Sequence, residues 1–198
     1  MITALSRLPR LAPAYVGGVQ LGAYALRRAA PAARQRLLRD CSTNVDNLRR
    51  GRWATLATSA VLVEEPMELP YALLLLAVLG YAEHAHGAWR AAAVFAYGHA
   101  GASLLVYAGL RAAPGTSPRT RSAIDVGPSY GLNAVAGALA RTLPRGPART
   151  AATGALLALG MRPLLRGERT FTDAGHLAAL VLGLALPPGA GRRRVTSG

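Results

Sequence analysis

Apolar runs free of charged side chains occur at six places along the chain: residues 11–26, 69–82, 91–110, 126–140, 150–161 and 174–191. A helix crossing the hydrocarbon core of a bilayer needs about 20 residues, with about 17 to 25 tolerated. The third run meets that length alone, and the last comes close. The other four reach it when a flanking Arg, Glu68 or Asp125 snorkels to the headgroups or lies in a polar interior. The pattern predicts six helices, at about residues 11–27, 66–83, 90–110, 124–141, 149–165 and 172–189. Together they form one all-α, polytopic membrane domain, a six-transmembrane-helix bundle located as a multi-pass protein of the cell membrane. The competing reading is a soluble Ala-rich bundle, which must then carry a 20-residue window with no charge at all.

The first two predicted spans are separated by a polar segment, about residues 28–65, which is too long for a tight turn. It carries local helix signals: Ser42 or Thr43 as a cap, and "RWATLATSAVL" as an amphipathic piece lying at the interface with Trp53. The first apolar run, preceded by Arg7 and Arg10 and followed by "AAPAA", also resembles a secretory signal. We read it as a retained helix, since a multi-span protein needs no cleaved leader.

Composition sharpens this picture. Hydrophobic residues make up 52% of the chain and aromatic ones only 6%, with 22 Gly and a mean hydropathy of +0.24, a small-residue helical palette. The 23 basic residues, all Arg, face 9 acidic ones, giving a net charge of +14. Such a balance suits nucleic acid, but here the arginines punctuate apolar runs instead of forming a stripe among aromatics. They read as loop and lipid-headgroup charges, with membrane lipids as partners and no nucleic acid. The single Cys41 excludes an intrachain disulfide and a cysteine-rich metal site. His84 and His86 beside Glu83 in "EHAH" lack a further ligand cluster, so neither metal nor cofactor is expected.

Polar groups within apolar runs mark function, because hydrocarbon makes each one costly unless it is paired. Ser129 and Asn133 stand in the fourth predicted span, His99 in the third and His176 in the sixth. A Ser and a His at similar depth form a nucleophile and general base. Ser129, following Pro128 at a helix head, also carries an amide with no intrahelical acceptor, suited to hold an oxyanion. The small residues Ala179 and Gly183 after His176, and Gly131, Ala134 and Ala138 after Ser129, bring the two helices into close contact. Each polar group also has an ordinary reading. Ser129 can simply satisfy local backbone, and His176, His99 and Asn133 can be interhelical hydrogen-bonding groups.

These same residues carry a resemblance to the rhomboid family, the six-helix intramembrane serine proteases and their inactive relatives, particularly the shorter rhomboid-like proteins of actinobacteria. "GPSYG" stands where rhomboids have Gly-x-Ser-Gly, and "GHLAALVLG" resembles their Ala-His-x-x-Gly-x-x-x-Gly, with Ala179 in place of the first glycine. "GRWATLATSAVL" is similar to the family's Trp-Arg-x-Leu-Thr-Ser segment, and Gly80, Glu83 and Gly87 match its Gly-x-x-x-Glu-x-x-x-Gly turn. The resemblance implies peptide-bond hydrolysis in transmembrane substrates by a Ser129–His176 dyad without cofactor. Gly127, Tyr130, Asn133 and His99 then support the oxyanion, and Gly131, Ala179 and Gly183 serve helix packing. Three features depart from the protease pattern: the second span lacks the usual His and Asn, Pro128 precedes the serine, and Tyr130 replaces the following glycine. The alternative is therefore an inactive pseudoprotease that binds membrane-protein clients through the same cavity.

The family topology puts the N-terminus in the cytoplasm, together with nine arginines: Arg7, Arg10, Arg90, Arg141, Arg145, Arg149, Arg192, Arg193 and Arg194. The other 14 fall outside, against the positive-inside tendency. Many of them lie in the 28–65 segment, where they can bind headgroups. A reporter fused after Arg194 is expected on the cytoplasmic side; its appearance outside reverses this topology.

Overall fold

The computed structural model describes residues 8–165 and 170–188, and these contain ten helices and no strand. In chain order they are α1 (Leu11–Arg27), α2 (Pro31–Cys41), α3 (Val45–Arg49), α4 (Thr55–Val61), α5 (Leu69–His86), α6 (Ala88–Ala112), α7 (Pro118–Arg121), α8 (Ser129–Thr142), α9 (Pro147–Leu165) and α10 (Phe171–Ala185). Arg7, Arg192, Arg193 and Arg194, and the end of the sixth expected span at residue 189, lie outside the described residues.

Of these helices, α6 is long and apolar enough to cross a membrane, and α10 is a shorter apolar helix. The long polar segment is structured into α2, α3 and α4. Its cap is neither Ser42 nor Thr43 but Asn44, whose side chain accepts the Asn47 N–H at 2.9 Å and opens α3. Both expected caps are buried instead, as the polar partners described below. In α4 the polar face points inward: Thr55 and Ser59 are buried while Trp53, just before the helix, stays exposed. The fourth expected span begins later than its apolar run, at Ser129, because residues 123–127 pair with other loops and Gly127 takes a positive φ. Pro128 is accordingly the N-cap of α8, one position earlier than the first-turn placement.

The core is built on α8, which packs most extensively on α10 and α6 and also touches α5 and α9. Small residues explain the closeness. A side chain at Gly183 would run into the Ala134 carbonyl, one at Gly137 into the α10 backbone near Leu180, and one at Gly98 into Ala134. Backbone-to-backbone approach of this kind is how apolar helices associate where water supplies no driving force. The stripe of α8 that meets α10 is Tyr130, Ala134 and Gly137, at spacings of four and three. Gly131, expected on that stripe, packs instead against the Phe95 ring of α6.

The other half of the core joins α1 to α5. Ala12, Val16, Val19, Ala23 and Leu26 recur every three or four residues and are buried, and the first four share a cluster with Ala72, Leu75 and Leu79 of α5. The head of α1 has no cap of its own, so its orphan amides need an acceptor from elsewhere. Glu83 of α5 provides it: its carboxylate accepts the N–H groups of Arg10, Leu11 and Ala12 at 2.8, 3.0 and 2.9 Å. Four residues on, Gly87 with φ +91° turns α5 directly into α6, a conformation only glycine adopts without strain. Replacing Glu83 by Ala strips three amides of their acceptor at a helix N-terminus. The expected loss is about 1–2 kcal/mol, within the range of helix capping, read as a lower unfolding midpoint in detergent.

Candidate functional site

Ser129 is the first residue of α8 and His176 lies in the second turn of α10. The α10 head is fixed by a reciprocal capping box, in which the Thr170 side chain accepts the Asp173 amide and the Asp173 carboxylate accepts the Thr170 N–H. The residue of α8 that meets His176 is Tyr130. The two rings are 5.4 Å apart, edge to face at 77°, and Tyr130 also covers Gly175, where any side chain would collide with its ring. Successive helical residues are rotated by about 100°. Ser129 is thus about 100° of helix rotation from Tyr130, and among the described residues no hydrogen bond joins it to His176. The His176 Nε2 is buried and has no hydrogen-bond partner among the described residues.

Tyr130 is 2% exposed, and its hydroxyl donates to Asp125 Oδ2 at 3.1 Å. Tyr107 of α6 donates to the same oxygen at 2.6 Å. Asp125 sits in the short passage before α8, and neighbouring segments hold its backbone: its N–H donates to Ser42 Oγ at 2.7 Å and its carbonyl accepts the Thr43 N–H at 3.3 Å. Two residues on, the Gly127 N–H donates to the Ser59 carbonyl at 2.7 Å. That amide is committed to α4, so Gly127 supplies no donor to an oxyanion in this arrangement.

His99 belongs to a second polar chain. Its Nε2 is 2.9 Å from Ser59 Oγ, which is 2.8 Å from Thr43 Oγ1, and Thr43 donates on to the Thr55 carbonyl at 2.8 Å. All three side chains are buried, His99 between the Phe95 ring at 6.5 Å and the Tyr130 ring at 6.0 Å. Asn133 turns its amide back on its own helix, donating to the Ser129 carbonyl at 2.9 Å. Ala179 is fully buried beside Ala102 and Ala134, and Gly183 meets Ala134. The site thus brings His99 and His176 each against the Tyr130 ring, while the Asn133 amide is spent on the Ser129 carbonyl.

Sequence reasoning missed Asp125 as an acceptor, and with it Tyr107, Ser42, Thr43 and Ser59. A signal was present: "CSTN" and "TLATS" are two short Ser/Thr clusters between apolar spans that hold a lone His and a lone Asp. Buried Ser and Thr hydroxyls require partners, and those two groups are the nearest in kind.

The rhomboid-like protein family matches the chain over residues 13–195, so the chain belongs to the rhomboid-like proteins, a membrane-embedded family. No curated protein and no solved structure matches it.

Truncating Tyr107 to Phe leaves one partly buried oxygen of the Asp125 carboxylate with a single donor. The expected cost is about 1–3 kcal/mol, the range for an unmade hydrogen bond to a charged group, and thermal unfolding in detergent checks it. An unchanged midpoint removes the Asp125 clamp from the account.

Proposed function

We propose that this is a multi-pass protein of the cell membrane, with α1, α5, α6, α8, α9 and α10 as its six spans, that binds transmembrane segments of client proteins without cleaving them. The observation that carries this reading is the placement of Tyr130 between α8 and His176. A Ser–His dyad works by transferring the serine proton to imidazole as attack begins. Here a buried aromatic ring occupies the imidazole's contact with α8, and its hydroxyl is held in place by Asp125. Two further features point the same way. Pro128 has no N–H to offer an oxyanion, and the Gly127 amide is engaged by Ser59.

The hydrolytic reading, with Ser129 as nucleophile and His176 as base, has one observation in its favour: the buried Nε2 of His176 has no hydrogen-bond partner among the described residues, leaving an imidazole nitrogen to take a proton. A serine-reactive fluorophosphonate probe separates the two. Purified protein in detergent is expected to label no more than its Ser129→Ala and His176→Ala variants. Wild-type labelling that both substitutions abolish establishes the protease instead.

A further inference from the structure

A groove of about 410 Å³ lies beside the C-terminal end of α6, with α3 and the passage into α4 as its other wall; Tyr107 lines it, and neither Ser129 nor His176 does. Its floor is apolar, from Leu48, Leu104 and Ala108, and its rim carries Arg49, Arg111 and Trp53. No acidic side chain among the described residues lines it. Among the described residues the ion pairs engage Arg27, Arg34 and Arg52, and neither Arg49 nor Arg111 takes part. Both are exposed, as is Trp53 at 59%.

The position of the groove along α6 matters as much as its lining. At 25 residues α6 extends about 37 Å, longer than the hydrocarbon core of about 30 Å. Arg111, next to its last residue, then stands at headgroup level. Ala108 and Leu104 lie about 5 and 10 Å deeper along the same helix, at the depth of the upper acyl chain. Trp53 on the rim is the residue type that settles at this boundary. Two unpaired guanidiniums at the surface and an apolar trough descending from them match an amphiphile with a negative head and a hydrocarbon tail. Guanidinium groups favour phosphate, which they grip by paired N–H donors.

We propose that this groove docks an anionic phospholipid, its phosphate between Arg49 and Arg111 and one acyl chain along Leu48, Ala108 and Leu104. The proposal rests on the membrane location above and is independent of whether Ser129 reacts.

The two tryptophans make it testable, because Trp53 borders the groove while Trp89 sits at the opposite end of α6. The full chain is reconstituted in vesicles containing brominated phosphatidylcholine or brominated phosphatidylglycerol, which quench nearby indole fluorescence. In a Trp89→Phe background, Trp53 is expected to be quenched preferentially by brominated phosphatidylglycerol. That preference should fall by about fivefold for each arginine removed in Arg49→Gln and Arg111→Gln. It should persist in Arg28→Gln/Arg36→Gln, two exposed arginines elsewhere, and in the presence of millimolar inorganic phosphate. In a Trp53→Phe background, Trp89 is expected to be quenched alike by both lipids. Equal quenching of Trp53 by the two lipids, an equal loss in the Arg28/Arg36 variant, or displacement by free phosphate overturns the docking site. Absence of quenching at both tryptophans overturns the membrane reading and the site together.

Discussion

The Tyr130 ring fills the space where α6, α8 and α10 meet, and its hydroxyl reaches the carboxylate of Asp125, whose backbone is held by the passage between α2 and α3. Burial of a large aromatic brings a phenol with it, and a buried phenol needs a partner. Asp125 is that partner, and it accepts from Tyr107 as well, so a single oxygen ties α6 to the head of α8. The carboxylate in turn requires the Ser42 and Thr43 contacts to stay where it is. Close packing of α8 on α10 follows from the same contact, because Gly175 must lack a side chain to admit the ring and Gly183 must lack one to admit the Ala134 carbonyl. Removing the tyrosine would open a gap beside His176 and take one of its two donors from the Asp125 oxygen, which would keep Tyr107.

That arrangement has a chemical consequence. The histidine in the second turn of α10 meets an aromatic edge of Tyr130, and among the described residues no hydrogen bond joins it to the serine at the head of α8. The serine–histidine hydrogen bond that does exist among the described residues links Ser59 to His99, and both side chains are buried. It ties α4 to α6 and completes the chain from Thr43, which makes it a structural strut. The same logic of satisfying polar groups away from water governs α1, whose first three amides are collected by Glu83 from a neighbouring helix. The loop segment between α1 and α5 is therefore part of the core: it supplies Ser42, Thr43 and Ser59 to polar groups that the apolar helices cannot satisfy among themselves.

Much of the helical layout was legible in the sequence, because charge-free runs mark apolar helices by composition alone. The residues 11–27 anticipated for the first helix coincide with α1. The head of α8 was harder, since "AIDVG" is as apolar as the helix it precedes, and its extended course follows from hydrogen bonds to Ser42, Thr43 and Ser59, residues more than 60 positions earlier. Facing was harder still. Gly131 and Tyr130 differ by one position and about 100° of rotation, so a small-residue pattern alone admits either toward α10. Phe95 on α6 decides it by filling the space over Gly131, and nothing near Gly131 in the sequence announces that. Ser129 and His176 were found as residues from their apolar surroundings, whereas their mutual placement is a property of the packed bundle.

The account stands on His176 being coupled to Tyr130 and uncoupled from Ser129, which a pair of double-mutant cycles measures directly by unfolding in mixed micelles. Tyr130→Leu combined with His176→Ala is expected to show a coupling of about 0.5–1.5 kcal/mol, the worth of an edge-to-face aromatic pair. Ser129→Ala combined with His176→Ala is expected to be additive within about 0.3–0.5 kcal/mol. Strong coupling between Ser129 and His176, with additivity for Tyr130 and His176, would contradict the arrangement described for this site.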